Sequence, residues 1–201
     1  MSNTRRPLPV VVATVALVAT LTLAACGSGR VLTASFDPAS PCTTDGRMAG
    51  AYPDLETLLP TAYEGTAPGT LDSGRTCTVG ALGTLAKEGV TGVRFAGATW
   101  SLGSSSGLTV AVFDGAGLDT AKLFDFYAVP AETASHTDKF RVLDTTVEGV
   151  AARRLEVLNK DGTTNTIVVW PDGAEGRVRV LLASDLGDAK VAAALDQFAR
   201  P

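Results

Sequence analysis

Residues that carry out acid–base or metal chemistry are scarce in this sequence. Of its 201 residues, one is histidine, His136, and three are cysteine. A mechanism that uses histidine as an acid or a base would have to use His136, which lies in a polar segment and is expected to be a solvated loop residue. The sequence contains no phosphate-binding loop, no dinucleotide fingerprint and no clustered zinc ligands. We therefore expect neither a cofactor nor a metal ion.

Basic residues are also few: the sequence has 17 lysines and arginines, against 21 aspartates and glutamates. Nucleic-acid binding depends on neutralising phosphates with lysine and arginine, so an acidic chain does not favour it. The net negative charge of the chain also disfavours electrostatic docking on anionic lipid headgroups. Nucleic acid is therefore not an expected partner, and attachment to a membrane would need another source of affinity.

One apolar stretch, Pro9–Leu23, follows Arg5 and Arg6 and leads into Leu23-Ala24-Ala25-Cys26. A charged start, an apolar centre and a small-residue cleavage site are the layout of a secretory signal peptide. With the cysteine at the cut, these residues resemble the lipobox of bacterial lipoproteins. The resemblance implies that Cys26 receives a diacylglyceryl group and that cleavage occurs between Ala25 and Cys26. The expected location is the extracytoplasmic face of the cell membrane, to which two acyl chains such as palmitate give stable attachment.

Two other interpretations of this stretch remain open. A plain signal peptide could carry a cysteine at this position by coincidence. An uncleaved membrane helix would need about 20 apolar residues, and threonines interrupt this run. Under the lipoprotein hypothesis, residues 1–25 are the signal peptide, residues 26–40 are the lipidated N-terminus and tether, and residues 41–201 form one domain. Removal of the signal changes the net charge from −4 to −6, since two of the basic residues lie within it.

Cys42 and Cys77 remain when Cys26 is set aside. In an exported protein an even remainder of cysteines is most simply a disulfide, because the compartment lacks cytosolic reductants. The two cysteines are 35 positions apart. Closing a loop of this length would add roughly 3 to 4 kcal/mol of stability in the chain-entropy model. A metal pair and a catalytic thiol are the competing hypotheses, and only His136 remains to complete a set of zinc ligands.

Periodicity and turn residues predict an α+β fold with a single antiparallel β-sheet, made of a hairpin plus a four-stranded meander, and about three packed helices. Short connections rich in glycine, asparagine and aspartate allow only antiparallel neighbours. Pro130 is expected to end the second helix. The expected helices are Arg75–Glu88, Asp119–Ala128 and Asp188–Ala199, and the expected strands are Val93–Trp100, Leu108–Phe113, Phe140–Thr146, Ala152–Leu158, Thr164–Trp170 and Arg177–Ala183.

The order of these elements, from about Arg75 to Ala199, is similar to the fold of the photosystem II extrinsic protein PsbP. Small exported lipoproteins of mycobacteria and their relatives also use that fold. The resemblance implies a domain that serves binding and assembly more often than catalysis.

Three short motifs resemble known sites. Gly103-Ser104-Ser105-Ser106-Gly107 matches the pattern of a hydrolase nucleophile elbow, but the elbow needs a following helix and a strand is expected here. Ser135-His136-Thr137-Asp138 places triad residues side by side, whereas a triad brings distant segments together. Asp114–Asp119 contains two carboxylates and two glycines, but Ala116 and Leu118 stand where a calcium loop needs oxygen ligands. A hairpin tip, a loop and a helix cap are the simpler interpretations.

Arginines on the later strands suggest a possible anion-binding patch. Arg177 and Arg179 share one sheet face by the period of two, and Arg154 joins them if it lies on the same face. The alternative is that Arg154, Glu156 and neighbouring acids belong to a solvated sheet face and pair across strands.

These observations favour a membrane-anchored extracytoplasmic lipoprotein whose domain is a non-enzymatic binding or accessory module for an unknown protein or small-molecule ligand. One alternative is a carrier of an apolar ligand or lipid, with a cavity lined by Phe95, Trp100, Phe124 and Tyr127. The other is a hydrolase with an unrecognised site, which would need convergent titratable residues.

Overall fold

A computed structural model describes residues 36–199 of the chain, and residues from Phe36 onward form one compact unit. The proposed signal peptide, Cys26 and the tether up to Ser35 lie outside the described residues. Eight antiparallel strands form one sheet in the order β1-β2-β3-β4-β8-β7-β6-β5. The strands are β1 (Gly46–Met48), β2 (Thr70–Thr76), β3 (Val93–Ser101), β4 (Gly107–Asp114), β5 (Thr137–Val147), β6 (Val150–Asn159), β7 (Thr164–Pro171) and β8 (Arg177–Ser184).

The helices are α1 (Pro53–Glu56), α2 (Val79–Leu82), α3 (Thr84–Lys87), α4 (Thr120–Thr133) and α5 (Asp188–Phe198). The predicted α+β class with a single antiparallel sheet is confirmed, and so are the hairpin β3–β4 and the meander β5–β8. The sheet is larger than predicted, because β1 and β2 extend the hairpin on its outer side. Two four-stranded meanders therefore meet along β4 and β8.

The prediction of one helix over Arg75–Glu88 is wrong in its first part. Residues through Thr76 belong to β2, which pairs with β3 over seven positions, and the helical turns start only after Thr78. Gly83, at a φ of +54°, then divides the helical segment into α2 and α3. The apolar spacing from Val79 onward is helical, but it gives no information about where the helix starts.

The second of the predicted helices is α4 in the structure, and it continues past Pro130. The sequence predicted that Pro130 would end this helix. Proline cannot donate the hydrogen bond that the carbonyl of Phe126 would receive within the helix. The loss falls in the last turn, where few intrahelical bonds remain to be made. The hydroxyl of Thr133 donates to the carbonyl oxygen of Val129 in that turn. The helix therefore closes one turn later than predicted.

The sheet carries helices on both faces. On one, the α5 face, the inward side chains of the strands pack against α1 and α5 around stacked rings of Trp100 and Phe198. On the other, the α4 face, alternate strand residues pack against α4, where Arg153 lies over the ring of Phe124. Strand alternation puts the following buried residues on the α4 face: Leu155, Val157, Ile167, Val169, Val178 and Val180.

Candidate functional site

The segment 36–45, which we call the strap, crosses the outer strands β1 and β2 and is fastened by Arg75. This arginine points to the α5 face and is only 4% exposed. Its guanidinium donates to the carbonyl oxygens of Pro38, Ser40 and Thr44 and to the hydroxyl of Ser40. In the described part of the chain no carboxylate pairs with Arg75, so carbonyl dipoles and the ring of Phe36, 5.1 Å away, surround its charge.

A disulfide between Cys42 and Cys77 fastens the strap a second time, as predicted. Asp45 provides a third attachment, since its carboxylate accepts from the backbone N–H of Cys77 at 2.6 Å and of Thr78 at 2.9 Å. Burial alone would raise the pKa of Asp45, but the hydrogen bonds from Thr78 and Cys77 outweigh it and hold this pKa below its usual value. Three kinds of bond thus tie the strap to the end of β2.

A shallow cleft of about 410 Å³ opens beside the disulfide. Its walls are Cys42, the segment 91–94 and the segment 114–116. Two glycines allow the loops to approach here: a Cβ on Gly92 would lie 2.7 Å from the sulfur of Cys42, and one on Gly115 would lie 2.7 Å from the carbonyl oxygen of Gly92. The cleft is therefore a gap between closely packed loops where β3 begins and β4 ends.

The basic residue of the cleft is Arg94. Its guanidinium forms ion pairs with Asp114 and, at 3.2 Å, with Asp54 of α1, and it lies 5.3 Å from the ring centre of Tyr52. Burial would lower the pKa of Arg94, but the two carboxylates raise it. With two carboxylates around one arginine, the cleft has no unneutralised positive charge to offer an anion. Its residues act as structural ion pairs that join α1 to the sheet.

Strand register places Arg154, Arg177 and Arg179 on the α5 face, and each has an acidic neighbour. Asp172, whose side chain is 6% exposed, pairs with both Arg177 and Arg179. Arg154 pairs with Glu156 at 2.7 Å and with Asp188 at 2.5 Å. A bound anion would have to displace these carboxylates. The face also carries α5, so these arginines join the helix and the turn before β8 to the sheet.

The three short motifs lie where their simpler interpretations put them. The segment 103–107 forms the tip of the β3–β4 hairpin and is followed by a strand. Asp119 caps α4 by accepting from the backbone N–H of Lys122 at 2.8 Å. The carbonyl oxygen of His136 accepts from the backbone N–H of Lys160, which joins two loops at one end of the sheet.

The four aromatic residues proposed to line an apolar cavity lie on opposite sides of the sheet. Trp100 packs on the α5 face against Tyr63 and Phe198. Phe95 lies on the α4 face beside Phe113, which in turn contacts Tyr127 of α4. The structure therefore does not bring these four rings together around one space.

The far edge of the sheet is open. β5 has eleven residues, most of them with exposed side chains, and β6 is its single neighbour among the residues that the structure describes. Among these, Arg141 is 63% exposed although it pairs with Glu156, and Val142 is 38% exposed. A strand edge presents unpaired backbone donors and acceptors, which is the surface to which another extended chain can add. The sequence predicted this strand but not that it would be the outermost one.

Within residues 36–199, no three histidine, cysteine, aspartate or glutamate side chains come together in a way that could hold a metal ion. No helix in the same range is both long and apolar enough to cross a membrane. Comparison of the chain with protein-family models, with curated proteins and with solved structures finds no match.

Proposed function

We propose that this protein is an extracytoplasmic lipoprotein, anchored by a diacylglyceryl group on Cys26, whose domain binds a partner and has no catalytic role. The observation that carries the proposal is the disulfide between Cys42 and Cys77. It uses two of the three cysteines, and the one that remains is the cysteine of the lipobox-like segment. A disulfide of this kind persists in oxidising compartments, which agrees with export.

The position of the strap fits this proposal. The segment from Cys26 to Ser35 leads directly into the strap, which begins at Phe36. Ten extended residues span at most roughly 35 Å, so a lipid on Cys26 would keep the domain close to the bilayer surface. Two acyl chains are needed for stable attachment of an acidic domain that anionic lipids do not attract.

The ionisable side chains support a binding role over a catalytic one. Arg94, Arg154 and Arg179 are used in ion pairs that join helices, turns and strands. The longest strand, by contrast, stands at an unpaired edge of the sheet. A surface suited to another polypeptide is thus the most prominent feature of the described domain that the fold itself does not use.

The anchor is tested by intact-mass measurement of the native protein and by the variant Cys26→Ala. We expect the native mass to correspond to a chain that begins at Cys26 and carries the diacylglyceryl group. Cys26→Ala should remove the protein from the membrane fraction, whereas the control Ser28→Ala, which leaves the cysteine in place, should not. An unmodified Cys26 thiol in a protein that stays with the membrane would refute the proposal.

A further inference from the structure

The hairpin between β5 and β6 fixes which backbone groups of β5 face outward. Its two-residue turn, Glu148-Gly149, has φ angles of +50° and +79°, as in a type I′ turn. The residues that flank such a turn, here Val147 and Val150, form a hydrogen-bonded pair. Along an antiparallel ladder, hydrogen-bonded and non-hydrogen-bonded pairs alternate. The N–H and C=O groups of Phe140, Val142, Asp144 and Thr146 therefore point away from β6.

The outer part of β5 is regular where these groups lie. The one irregularity in its pairing falls between Thr137 and Lys139, at the start of the strand. From Phe140 to Val147 every residue pairs in sequence with β6. Bulges and very short strands are common devices for blocking an edge, and neither is present over this stretch. Eight consecutive residues are thus available for strand addition.

The side chains along this edge differ between the two faces of the sheet. Register with β6 places Lys139 and Arg141 on the α5 face and Phe140 and Val142 on the α4 face. Lys139 is exposed and has no acidic partner in the described part of the chain. Further along the strand, Leu143 follows on the α5 face and Asp144 on the α4 face. Over residues 139–142, an added strand would therefore meet positive charge on one face and apolar surface on the other. Carboxylates alternating with apolar side chains would match both.

We propose that the open edge of β5 binds an extended segment of a partner protein by antiparallel strand addition, and that this segment alternates acidic and apolar residues. The proposal rests on the binding role proposed above and names the class of partner. Backbone hydrogen bonds provide affinity, and the alternation of Lys139 and Arg141 with Phe140 and Val142 provides specificity.

The position of the strap agrees with this placement. β1, which the strap covers, and β5 stand at opposite edges of the eight-stranded sheet. Seven spacings of about 4.8 Å separate them by about 34 Å. A partner on β5 would therefore not meet the strap.

A second copy of this chain fits the edge less well. A two-fold pairing of β5 strands must be centred on a residue, so that side chains stay on their faces. Centring on Arg141 puts two arginines opposite each other, and centring on Phe140 puts Lys139 opposite Arg141. Centring on Val142 puts Phe140 opposite Asp144. Like charges directly opposite are destabilising. Because the α5-face residues of β5 include no acid, no residue-centred register puts a carboxylate opposite Lys139 or Arg141, whereas an acidic strand does.

The test is a fluorescence-anisotropy titration of the full mature protein in detergent with a synthetic nine-residue peptide of alternating glutamate and valine. A peptide with lysine in place of glutamate is the matched control, and it should bind at least about tenfold more weakly because it meets Lys139 and Arg141. Hydrogen exchange should slow at residues 140–147 when the acidic peptide is bound.

The decisive variant is Val142→Pro. Its N–H points outward, so proline removes a donor to the added strand without breaking a bond to β6. We expect at least about a tenfold loss of affinity for the acidic peptide. Lys139→Glu should reduce the preference for the acidic peptide without altering the backbone, and it keeps the test valid if Val142→Pro does not fold. Lys190→Glu, an exposed charge reversal on α5, should leave binding unchanged.

Equal binding of the two peptides, or unchanged binding by both β5 variants, would overturn the proposal. So would concentration-dependent dimerisation that Val142→Pro abolishes, because the edge would then belong to a second copy. The titration does not depend on how Cys26 is modified. An absent lipid with peptide binding intact would refute the anchor alone, and a confirmed lipid without peptide binding would refute the strand addition alone.

Discussion

At one edge of the sheet, β1 has three residues and lies beside the disulfide, Arg75 and Asp45, which hold the strap. At the other edge, β5 has eleven residues and, within residues 36–199, no neighbour beyond β6. The first edge is closed by bonds that join residues far apart in sequence. The second consists of a strand and a tight turn.

The two edges differ in what they contribute: the β1 edge contributes to stability, and the β5 edge is suited to recognition. Bonds between distant segments restrict the unfolded chain and protect the outer strand from fraying. A hairpin strand is held by its local turn and ladder, which leaves its outer side free for another chain. We therefore expect variants at the strap to change the free energy of unfolding strongly, and variants at β5 to change it little.

The largest effect is expected from removal of the disulfide. Replacing Cys42 and Cys77 together with serine should lower the free energy of unfolding by about 3 to 4 kcal/mol, since the bond closes a loop with a sequence separation of 35. Urea unfolding measures this loss. Hydrogen exchange should rise at β1 and β2 and stay unchanged at β5. A loss below about 1 kcal/mol would show that the strap does not depend on the bond.

The next effect is expected at Arg75. Arg75→Met should lower the free energy of unfolding by about 2 kcal/mol, because the carbonyl oxygens of Pro38, Ser40 and Thr44 lose their donor. The matched control at the open edge is Arg141→Met, which removes an exposed ion pair and should cost no more than about 1 kcal/mol. If the two variants are equally destabilising, the contrast between the edges does not hold.

A smaller and pH-dependent effect is expected from Asp45→Asn, at about 1 kcal/mol near neutral pH, because hydrogen bonds to a charged group are weakened when that group is exposed to solvent. The pKa of Asp45 is lowered in the folded protein. Its contribution is therefore complete above the unfolded pKa of about 3.9 and disappears as the pH falls through the lower folded pKa.

Urea unfolding of the wild type and of Asp45→Asn as a function of pH measures this difference. The two proteins should converge in acid and differ at neutral pH. Asp138→Asn, an exposed residue at the start of β5, is the control and should change the free energy of unfolding by less than about 0.5 kcal/mol near neutral pH. A difference between wild type and Asp45→Asn that persists below the folded pKa would contradict the assigned cause.

The smallest effect is expected in the turn that fixes the register of β5. Glu148 has a φ of +50°, which asparagine tolerates better than glutamate, so Glu148→Asn should raise the free energy of unfolding by about 0.5 kcal/mol. Gly149→Ala, at a φ of +79°, should lower it by about 1 kcal/mol. Thermal unfolding measures both changes. A destabilising Glu148→Asn would argue against a type I′ turn and against the outward groups assigned from it.

The parts of the fold that were predictable are those whose signals are local. The meander β5–β8 follows from alternating apolar residues between turns such as Glu148-Gly149, and α5 follows from its apolar stripe. β1 and β2 were missed for different reasons. Three residues are too few for a pattern, and the helical spacing that starts at Val79 was extended backward through Arg75.

The bonds that hold the strap at the β1 edge could not be predicted, because they produce no periodic pattern in the sequence. Arg75 donates to backbone carbonyl oxygens, and any residue can supply those. The disulfide was predictable from the count of cysteines once the export signal and Cys26 were set apart. Alternation indicates which face Arg177 and Arg179 occupy, but their partner Asp172 stands in a turn that only the fold brings near.

The disulfide also determines how the domain would respond to a mechanical pull on the residues before Phe36. Such a force travels along the strap to Cys42 and crosses the covalent bond to Cys77. The segment between the two cysteines, which contains β1, α1 and β2, is bypassed by this covalent path. The force would continue from Cys77 into the residues that lead to α2, so the outermost strand, β1, could not be peeled away first.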